Sequence, residues 1–209
     1  MLASLSSNRI SFWRFDFLQG RGYLVDHFIR NITKTGAVSS CSEEVANAIT
    51  KHANLSQYKT VVELGSGTGA ITKKLVENIS EDALFMALEL NAHFVQETKK
   101  ACPSAIVYHD SAENIRNCLN KHGKEFCDCV ISTLPWTLFE PELQERILQA
   151  VLDVLPEGGQ FLTVTYTFAT LLPSGKRFRS LLNGKFSHVH RTKPIWKNLP
   201  PVYVYHCKK

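Results

Sequence analysis

Residues 60–72 read TVVELGSGTGAIT, a short β-branched run that breaks into Gly65, Gly67 and Gly69 before the pattern resumes as a helix. Strand, glycine turn and helix in that order are what a parallel sheet uses to receive a nucleoside-bearing ligand on backbone at its carboxyl edge. Gly65 permits a tight turn after the strand, Gly67 removes a side chain where a ligand must approach backbone, and Gly69 lets the following helix lie close to the sheet. The plainer alternative is a loop that only turns a corner.

From Val61 onward the chain alternates strand-like and helix-like segments. Strands are expected near 60–64, 84–89, 105–109, 127–132 and 160–166, and helices near 69–79, 91–100, 111–120 and 141–155. A short helix over Pro173 to Leu182 follows, then FSHVHRT and a final VYVYHC. With no long connection between them, these last two suit an antiparallel addition at the sheet's edge. The pattern predicts an α/β fold, a doubly wound seven-stranded mostly parallel sheet with an antiparallel last strand. At 209 residues and 44% hydrophobic composition, one domain over 1–209 is expected. Within it, 9–34 reads as an amphipathic N-terminal segment, 35–57 as a helix next to the glycine loop, and 58–209 as the core sheet.

Two carboxylates narrow the ligand. Glu89, at the end of the apolar run ALFMALE, is placed to accept hydrogen bonds from both ribose hydroxyls. Glu63 lies next to the glycine loop and would crowd a pyrophosphate with negative charge. A cofactor with a cationic amino-acid tail and no phosphate tolerates it, which favours S-adenosylmethionine, with S-adenosylhomocysteine as product, over a dinucleotide. Ser66 in the loop, Leu90 after Glu89, and Ser132 at the end of the fourth strand join the expected cofactor residues. After the third strand, Asp110 can accept from an adenine amino group, and Ser111 and Ala112 flank the ring, Ala112 leaving it room.

The fourth strand ends in DCVISTLPWTLF. Pro135 fixes its own φ and restricts Leu134, so the carbonyls there point in set directions. A carbonyl accepting hydrogen from an amine leaves the nitrogen lone pair free to attack a methyl group. Trp136 offers a ring that could face a cation, and Tyr166, at the rim of the fifth strand, a phenol to orient a substrate. Alternatively, Pro135 merely stops a strand, Trp136 packs in the core and Tyr166 is an ordinary half-buried tyrosine.

Charge is unevenly distributed. After Glu157 there are nine basic residues and no acid, whereas residues 1–157 hold fifteen basic against nineteen acidic. Lys176, Arg177, Arg179, Lys185, Arg191, Lys193, Lys197, Lys208 and Lys209 must meet an anionic partner or water. The candidates are lipid headgroups and nucleic acid. The run ISFWRFDFLQGRGYLVDHFIRNI sets Trp13 and its aromatic neighbours among Arg14, Arg21 and other arginines, which suits either a helix covering the sheet or an interfacial helix. In the next segment, SSCSEEVANAITKHA, Ser40 or Ser42 can cap a helix, with Glu43 and Glu44 in its first turn. No run approaches the length of a membrane span and the start lacks a secretory pattern, so a cytoplasmic location is expected. The six cysteines show no paired spacing, and neither they nor the eight histidines form a metal-ligand set.

These motifs resemble the bacterial phosphatidylethanolamine N-methyltransferases, including related enzymes that methylate ornithine lipids. They are similar in the cofactor half to ribosomal RNA adenine dimethylases. The resemblance spans nearly the whole chain, from TKTGAVSSCSEEVANAI through VVELGSGTGAIT, ALELN, HDSAENI and ISTLPWTLF to RTKPIWKNLPPVYVYHC. It implies a Rossmann-like class I methyltransferase in which Glu63, Gly65, Gly67, Glu89 and Asp110 hold S-adenosylmethionine. It implies docking of the N-terminal segment on anionic membrane, hence a peripheral place on the inner face of the cytoplasmic membrane, and methylation of phosphatidylethanolamine, with ornithine lipid as the alternative. Thr133 stands where the adenine dimethylases carry Asn, and the chain has no room for their extra helical domain, so nucleic acid is not the expected partner. A monomer is expected in solution. The rivals are an RNA base methyltransferase and a non-catalytic nucleoside-binding adaptor. Deleting residues 9–30 should reduce co-sedimentation with phosphatidylglycerol vesicles while cofactor binding by calorimetry persists; undiminished co-sedimentation rejects this docking role.

Overall fold

The structure is a computed structural model that describes residues 37–198 and 200–209, with side chains from residue 43 onward. The amphipathic segment 9–34, and with it Trp13, Arg14 and Arg21, lies outside the described residues.

Seven strands form one sheet: β1 (Thr60–Leu64), β2 (Leu84–Glu89), β3 (Ile106–His109), β4 (Cys129–Ser132), β5 (Gln160–Tyr166), β6 (His188–Arg191) and β7 (Val202–Lys208). Their order is β3-β2-β1-β4-β5-β7-β6. The first five run parallel, β1 pairing with β2 and with β4. β7 is antiparallel to both neighbours, with Gln160 opposite Lys208 on one side and His188 opposite Lys208 on the other. The sheet is the mixed seven-stranded one expected. The final strand sits one place inside the edge, because the β6–β7 hairpin joins the sheet through β7.

The helices are α1 (Ala37–Ala53), α2 (Ala70–Val76), α3 (Ala92–Ala101), α4 (Ile115–Asn120), α5 (Pro141–Val154) and α6 (Pro173–Lys185). Alternation along each strand divides the core in two. Val62, Leu64, Met86, Val130 and Phe161 face one cluster with Leu119 of α4, Leu148 of α5 and Phe178 of α6. Val61, Phe85, Ala87, Ile131 and Leu162 face the other, with Ile49 of α1, Leu75 of α2 and Val95 of α3. Strands buried on both faces read as continuous apolar runs, which is why TVVEL and CVIS lack polar alternation.

Local chemistry sets the boundaries. Asn91 caps α3, its side chain accepting from the amides of His93 at 2.9 Å and Phe94 at 3.4 Å. Pro141 and Pro173 occupy first-turn positions of α5 and α6, where a missing N–H costs nothing. α1 begins at Ala37, so Ser40 and Ser42 stand inside the helix and do not cap it. The cap preference of a serine is local, and the helix extends a turn upstream of it. The five described cysteines, Cys102, Cys118, Cys127, Cys129 and Cys207, are free and buried.

α6 packs closely against the single turn of 3-10 helix over Phe168–Leu171. A β-carbon on Gly175 would stand 2.0 Å from the Ala169 carbonyl oxygen. Gly175→Ala should therefore destabilise the fold by about 1–3 kcal/mol through overpacking, read as a lower urea midpoint at unchanged slope; an unchanged midpoint would show that the contact is soft.

Candidate functional site

The strand order reverses between β1 and β4, and at such a switch point a crevice opens outside the carboxyl ends of the strands. Two loops meet there. Thr133 donates its amide to the Leu64 carbonyl at 3.0 Å, and its hydroxyl donates to the Gly65 carbonyl. Gly65 has φ +82°, and a β-carbon on it would stand 2.9 Å from Leu134 Cδ2. Both its backbone conformation and the Leu134 contact exclude a side chain.

The glycine loop is held from below by groups that carry no sequence motif. Thr98 of α3, fully buried, donates to the Gly67 carbonyl at 2.8 Å. Its hydroxyl has one proton, so at 2.9 Å the Ser66 hydroxyl is the donor to Thr98. The Gly67 amide donates to Glu89 Oε2 at 3.0 Å and the Asn91 amide to Oε1 at 2.8 Å. Nothing stands within 4 Å of a β-carbon built on Gly67, so space is open there as expected. Gly69 differs from expectation: its β-carbon would meet Thr98 Cα at 2.9 Å and Ala101 Cβ at 3.1 Å. The close approach is to helix α3 rather than to the sheet.

Glu63 is fully buried on the face of β1 that carries Val61, where Thr72 of α2 donates to its Oε2 at 2.6 Å. Its Oε1 has no hydrogen-bond partner among the described residues. Burial, reinforced by the neighbouring Glu89 charge and opposed by the Thr72 hydrogen bond, pushes its pKa up to about 8. Asp110 is half-buried; its Oδ1 accepts from the Ser111 amide at 2.8 Å and from Asn114 Nδ2 at 2.6 Å. The Asn114 bond comes first among the causes that hold Asp110 below the ordinary carboxylate range. Ser111 and Ala112 begin the turn that follows, half-buried, and Leu90 is 72% exposed beside Glu89.

The corner after β4 is an inverse γ-turn: Pro135 has φ −78° and ψ 65°, and the Trp136 amide donates to the Leu134 carbonyl at 2.8 Å. Beyond it, the Leu138 amide donates to the Pro135 carbonyl at 2.8 Å. Trp136 corrects the sequence expectation. Its ring is 1% exposed, stacked on Phe178 at 4.8 Å and set edge-on to Phe161 at 5.9 Å, so it is a core residue and faces no ligand. Ser132 is corrected with it. Fully buried, its hydroxyl accepts from Trp136 Nε1 at 3.0 Å and the Leu134 amide at 3.3 Å, so its side chain positions the corner and does not reach a cofactor. Tyr166 ends β5 half-buried, its ring stacked on Phe168 at 5.6 Å.

The basic residues separate into two groups. Arg177 donates through Nε to Gln144 Oε1 at 3.3 Å, and buried Gln144 in turn donates to the Trp136 carbonyl. Arg177 thus braces the corner from behind. Lys197 pairs at the surface with Glu44 of α1 at 2.9 Å, its side chain 78% exposed. Lys176 and Arg179 are exposed, and Arg191 lies over the Tyr203 ring at 4.2 Å.

Fold and crevice together define a Rossmann-like class I S-adenosylmethionine-dependent methyltransferase architecture. Residues 40–112 match the family model described as ribosomal RNA adenine dimethylase. The chain is similar to the ornithine lipid N-methyltransferase of Singulisphaera acidiphila, at 25% identity over 87% of this chain and 92% of that protein. Among solved structures, the O-methyltransferase TomG of Streptomyces achromogenes, in complex with S-adenosylmethionine, aligns with a TM-score of 0.61 and 16% identity over 79% of this chain and 78% of that one. A candidate rRNA methylase of Clostridium thermocellum aligns with a TM-score of 0.59 and 19% identity over 81% of this chain and 98% of that one. S-adenosylmethionine is the cofactor typical of this fold. The residues present fit it, since Glu63 Oε1, buried next to the glycine loop, is an acceptor without a hydrogen-bond partner among the described residues, and space is open above Gly67.

Glu63 has a folded-state pKa above its unfolded one, so between pH 4.5 and about 8 the folded state binds the extra proton. Its contribution to stability therefore falls as pH rises through that window. Glu63→Gln should remove this slope, so that the melting temperature of the variant minus that of the wild type grows from pH 5 to about 8; a constant difference would contradict burial of the acid.

Proposed function

We propose that this chain transfers a methyl group from S-adenosylmethionine to the amine of a membrane lipid headgroup. The carrying observation is where the similarities fall. The adenine dimethylase match stops at Ala112, before the corner after β4 and everything on the substrate side. The similarity to the ornithine lipid enzyme continues across the substrate half, covering 87% of the chain. This supports an amino-acid lipid amine ahead of phosphatidylethanolamine, the acceptor that the family resemblance puts first. An RNA base is the less supported acceptor.

When bound, S-adenosylmethionine supplies an activated sulfonium methyl. Glu63 Oε1 would accept from the α-ammonium of the cofactor's amino-acid end. Glu89 has two lone-pair positions left after the Gly67 and Asn91 amides, and these would accept the ribose hydroxyls. Leu90 and Asp110 would hold the purine, Asp110 through Oδ2, which accepts a weak contact from Cys118 Sγ at 3.9 Å. Gly65, Ser66 and Gly67 present backbone to the ligand. On the other side, the Leu134 and Pro135 carbonyls each accept one backbone bond, which leaves each a lone pair to orient the substrate amine. Tyr166 stands at the neighbouring strand end.

Alignment and exclusion of water are the protein's share of this chemistry. The amine must be neutral to attack. An aliphatic ammonium with a pKa near about 10 loses its proton more readily on leaving bulk water.

Two measurements test this. Labelled S-adenosylmethionine incubated with ornithine lipid, phosphatidylethanolamine or an adenine-bearing RNA should yield methylated ornithine lipid by mass; label found only on adenine rejects the lipid reading. Glu89→Ala should weaken S-adenosylhomocysteine binding by about tenfold to a hundredfold, the worth of charge-assisted hydrogen bonds; unchanged affinity by calorimetry removes its ribose role.

A further inference from the structure

Apolar and cationic groups collect at the same end of the sheet. Eight large apolar side chains are exposed among the described residues, and six of them follow carboxyl ends of strands. Leu90 belongs to the cofactor crevice. The other five are Leu138 after β4, Phe168, Leu171 and Leu172 after β5, and Trp196 between β6 and β7. β6 and β5 are both antiparallel to β7 and therefore point the same way, so the Trp196 loop leaves the same edge. Leu171 and Trp196 are the extremes, 73% and 71% exposed. Exposed apolar side chains gathered at one edge of the sheet beside a crevice suit an interaction surface.

Beside the rim lies a cleft of about 410 Å³ lined by Thr170, Leu171, Ser180, Asn183 and the cations Lys176, Arg179 and Arg191. Lys176, Arg179, Ser180 and Asn183 fall at helical spacing and make one stripe of α6, which Arg191 faces from β6. Gly175, in contact with Ala169, seats that stripe directly beneath Leu171. Among the described residues, none of the three cations forms an ion pair with an acid. The lining is rich in donors and contains no carboxylate, so it suits an anion with several oxygens. Its apolar neighbour Leu171 suits an anion with hydrocarbon attached.

We infer that the carboxyl-edge rim and the Lys176–Arg179–Arg191 cleft form an interfacial docking surface that seats a phosphate-bearing lipid of the bilayer, distinct from the lipid whose amine is methylated. The rim enters the headgroup layer and the cleft holds a neighbouring phosphate, which turns the crevice between Gly67 and Leu134 toward the membrane. The inference rests on the lipid reading of the substrate and adds the partner surface. It needs no phosphate on the acceptor, and so is compatible with an amino-acid lipid. Three of the five rim side chains, Leu138, Leu171 and Leu172, are leucines without the flat π-face on which single-stranded bases stack, and Phe168 is already stacked on Tyr166, so the rim favours acyl chains over nucleic acid.

The test is co-sedimentation of the full chain with vesicles free of any amine acceptor: phosphatidylcholine with phosphatidylglycerol in one arm, phosphate-free galactolipid in the other. Lys176→Gln/Arg179→Gln should lower partition onto the phospholipid by about thirtyfold, as two lost basic contacts predict, and leave the galactolipid arm near wild type. Leu171→Gln/Trp196→Gln should lower partition in both arms. S-adenosylhomocysteine affinity by calorimetry should stay within about twofold in each variant, which establishes that the fold is intact. Wild-type partition by both variants overturns the inference, as does absence of wild-type binding. Loss of single-stranded RNA binding with vesicle binding retained overturns it in favour of nucleic acid. Methyl transfer to detergent-dispersed ornithine lipid, measured separately, reports on the acceptor and does not depend on docking, so failure of the two readings is distinguishable.

Discussion

The hydroxyl of Thr133 donating to the Gly65 carbonyl joins the two loops on which the carboxyl edge depends. It ties the glycine turn to the Leu134–Pro135 corner across neighbouring strands. The Thr133 amide bond to Leu64 and the contact of Leu134 with Gly65 add to the same junction. The corner is fixed from the other side as well, through Ser132 to the Trp136 indole and through Gln144 to the Trp136 carbonyl. Trp136 thus acts as a buried anchor. Its flat ring, wedged on Phe178, sets the direction of the two preceding carbonyls while remaining out of reach of any ligand.

The elements that the sequence displayed clearly were those with a strong period. TVVEL and ALFMALE are nearly continuous apolar runs and QFLTVTY alternates apolar residues with threonine, and each is a strand at its expected limits. The glycine motif placed the crevice for a similar reason, because positive φ at Gly65, Gly67 and Gly69 is a constraint visible in residue identity. What remained hidden depends on tertiary neighbours. Thr98 in QETKKA looks like any surface helix threonine, yet it is fully buried beneath the glycine loop. Thr72 offers more of a signal, a hydroxyl on the first turn after the loop beside a strand-end acid. Trp136 after a proline can be either ligand platform or core, and only the presence of Phe161 and Phe178 decides. The same limit applied to the inward place of β7, since alternation gives strands but not their order.

Burying Glu63 costs stability, and the compensation it receives is incomplete. One oxygen has the Thr72 hydroxyl and the other has nothing among the described residues. A half-satisfied buried acid is a local conflict, and such conflicts concentrate where a ligand completes them. A cationic group arriving at Oε1 would stabilise the ionised form, so binding and deprotonation of Glu63 are coupled. This explains why an acid suits the position better than a glutamine, which would make a quieter apo fold but would have no charge to offer.

The basic C-terminal part is less uniform than its composition indicates. Of the residues expected to face an anionic partner, Arg177 spends its guanidinium on Gln144 and Lys197 spends its ammonium on Glu44. Lys209 donates to the carbonyls of Leu152 and Leu155 at 2.7 Å each, so one tail charge caps the carboxyl end of α5. Net charge therefore overstates the outward field. Among the exposed remainder, Lys176 and Arg179 on one face of α6 and Arg191 at the end of β6 line one cleft next to the apolar rim, whereas Lys185, Lys193 and Lys208 lie outside its lining. Adjacent apolar and cationic surfaces match the two layers of a membrane interface in depth, hydrocarbon below and phosphate above. With the crevice opening at the same edge, the proposed docking would let an amine held at headgroup level meet the Leu134–Pro135 corner without leaving the bilayer.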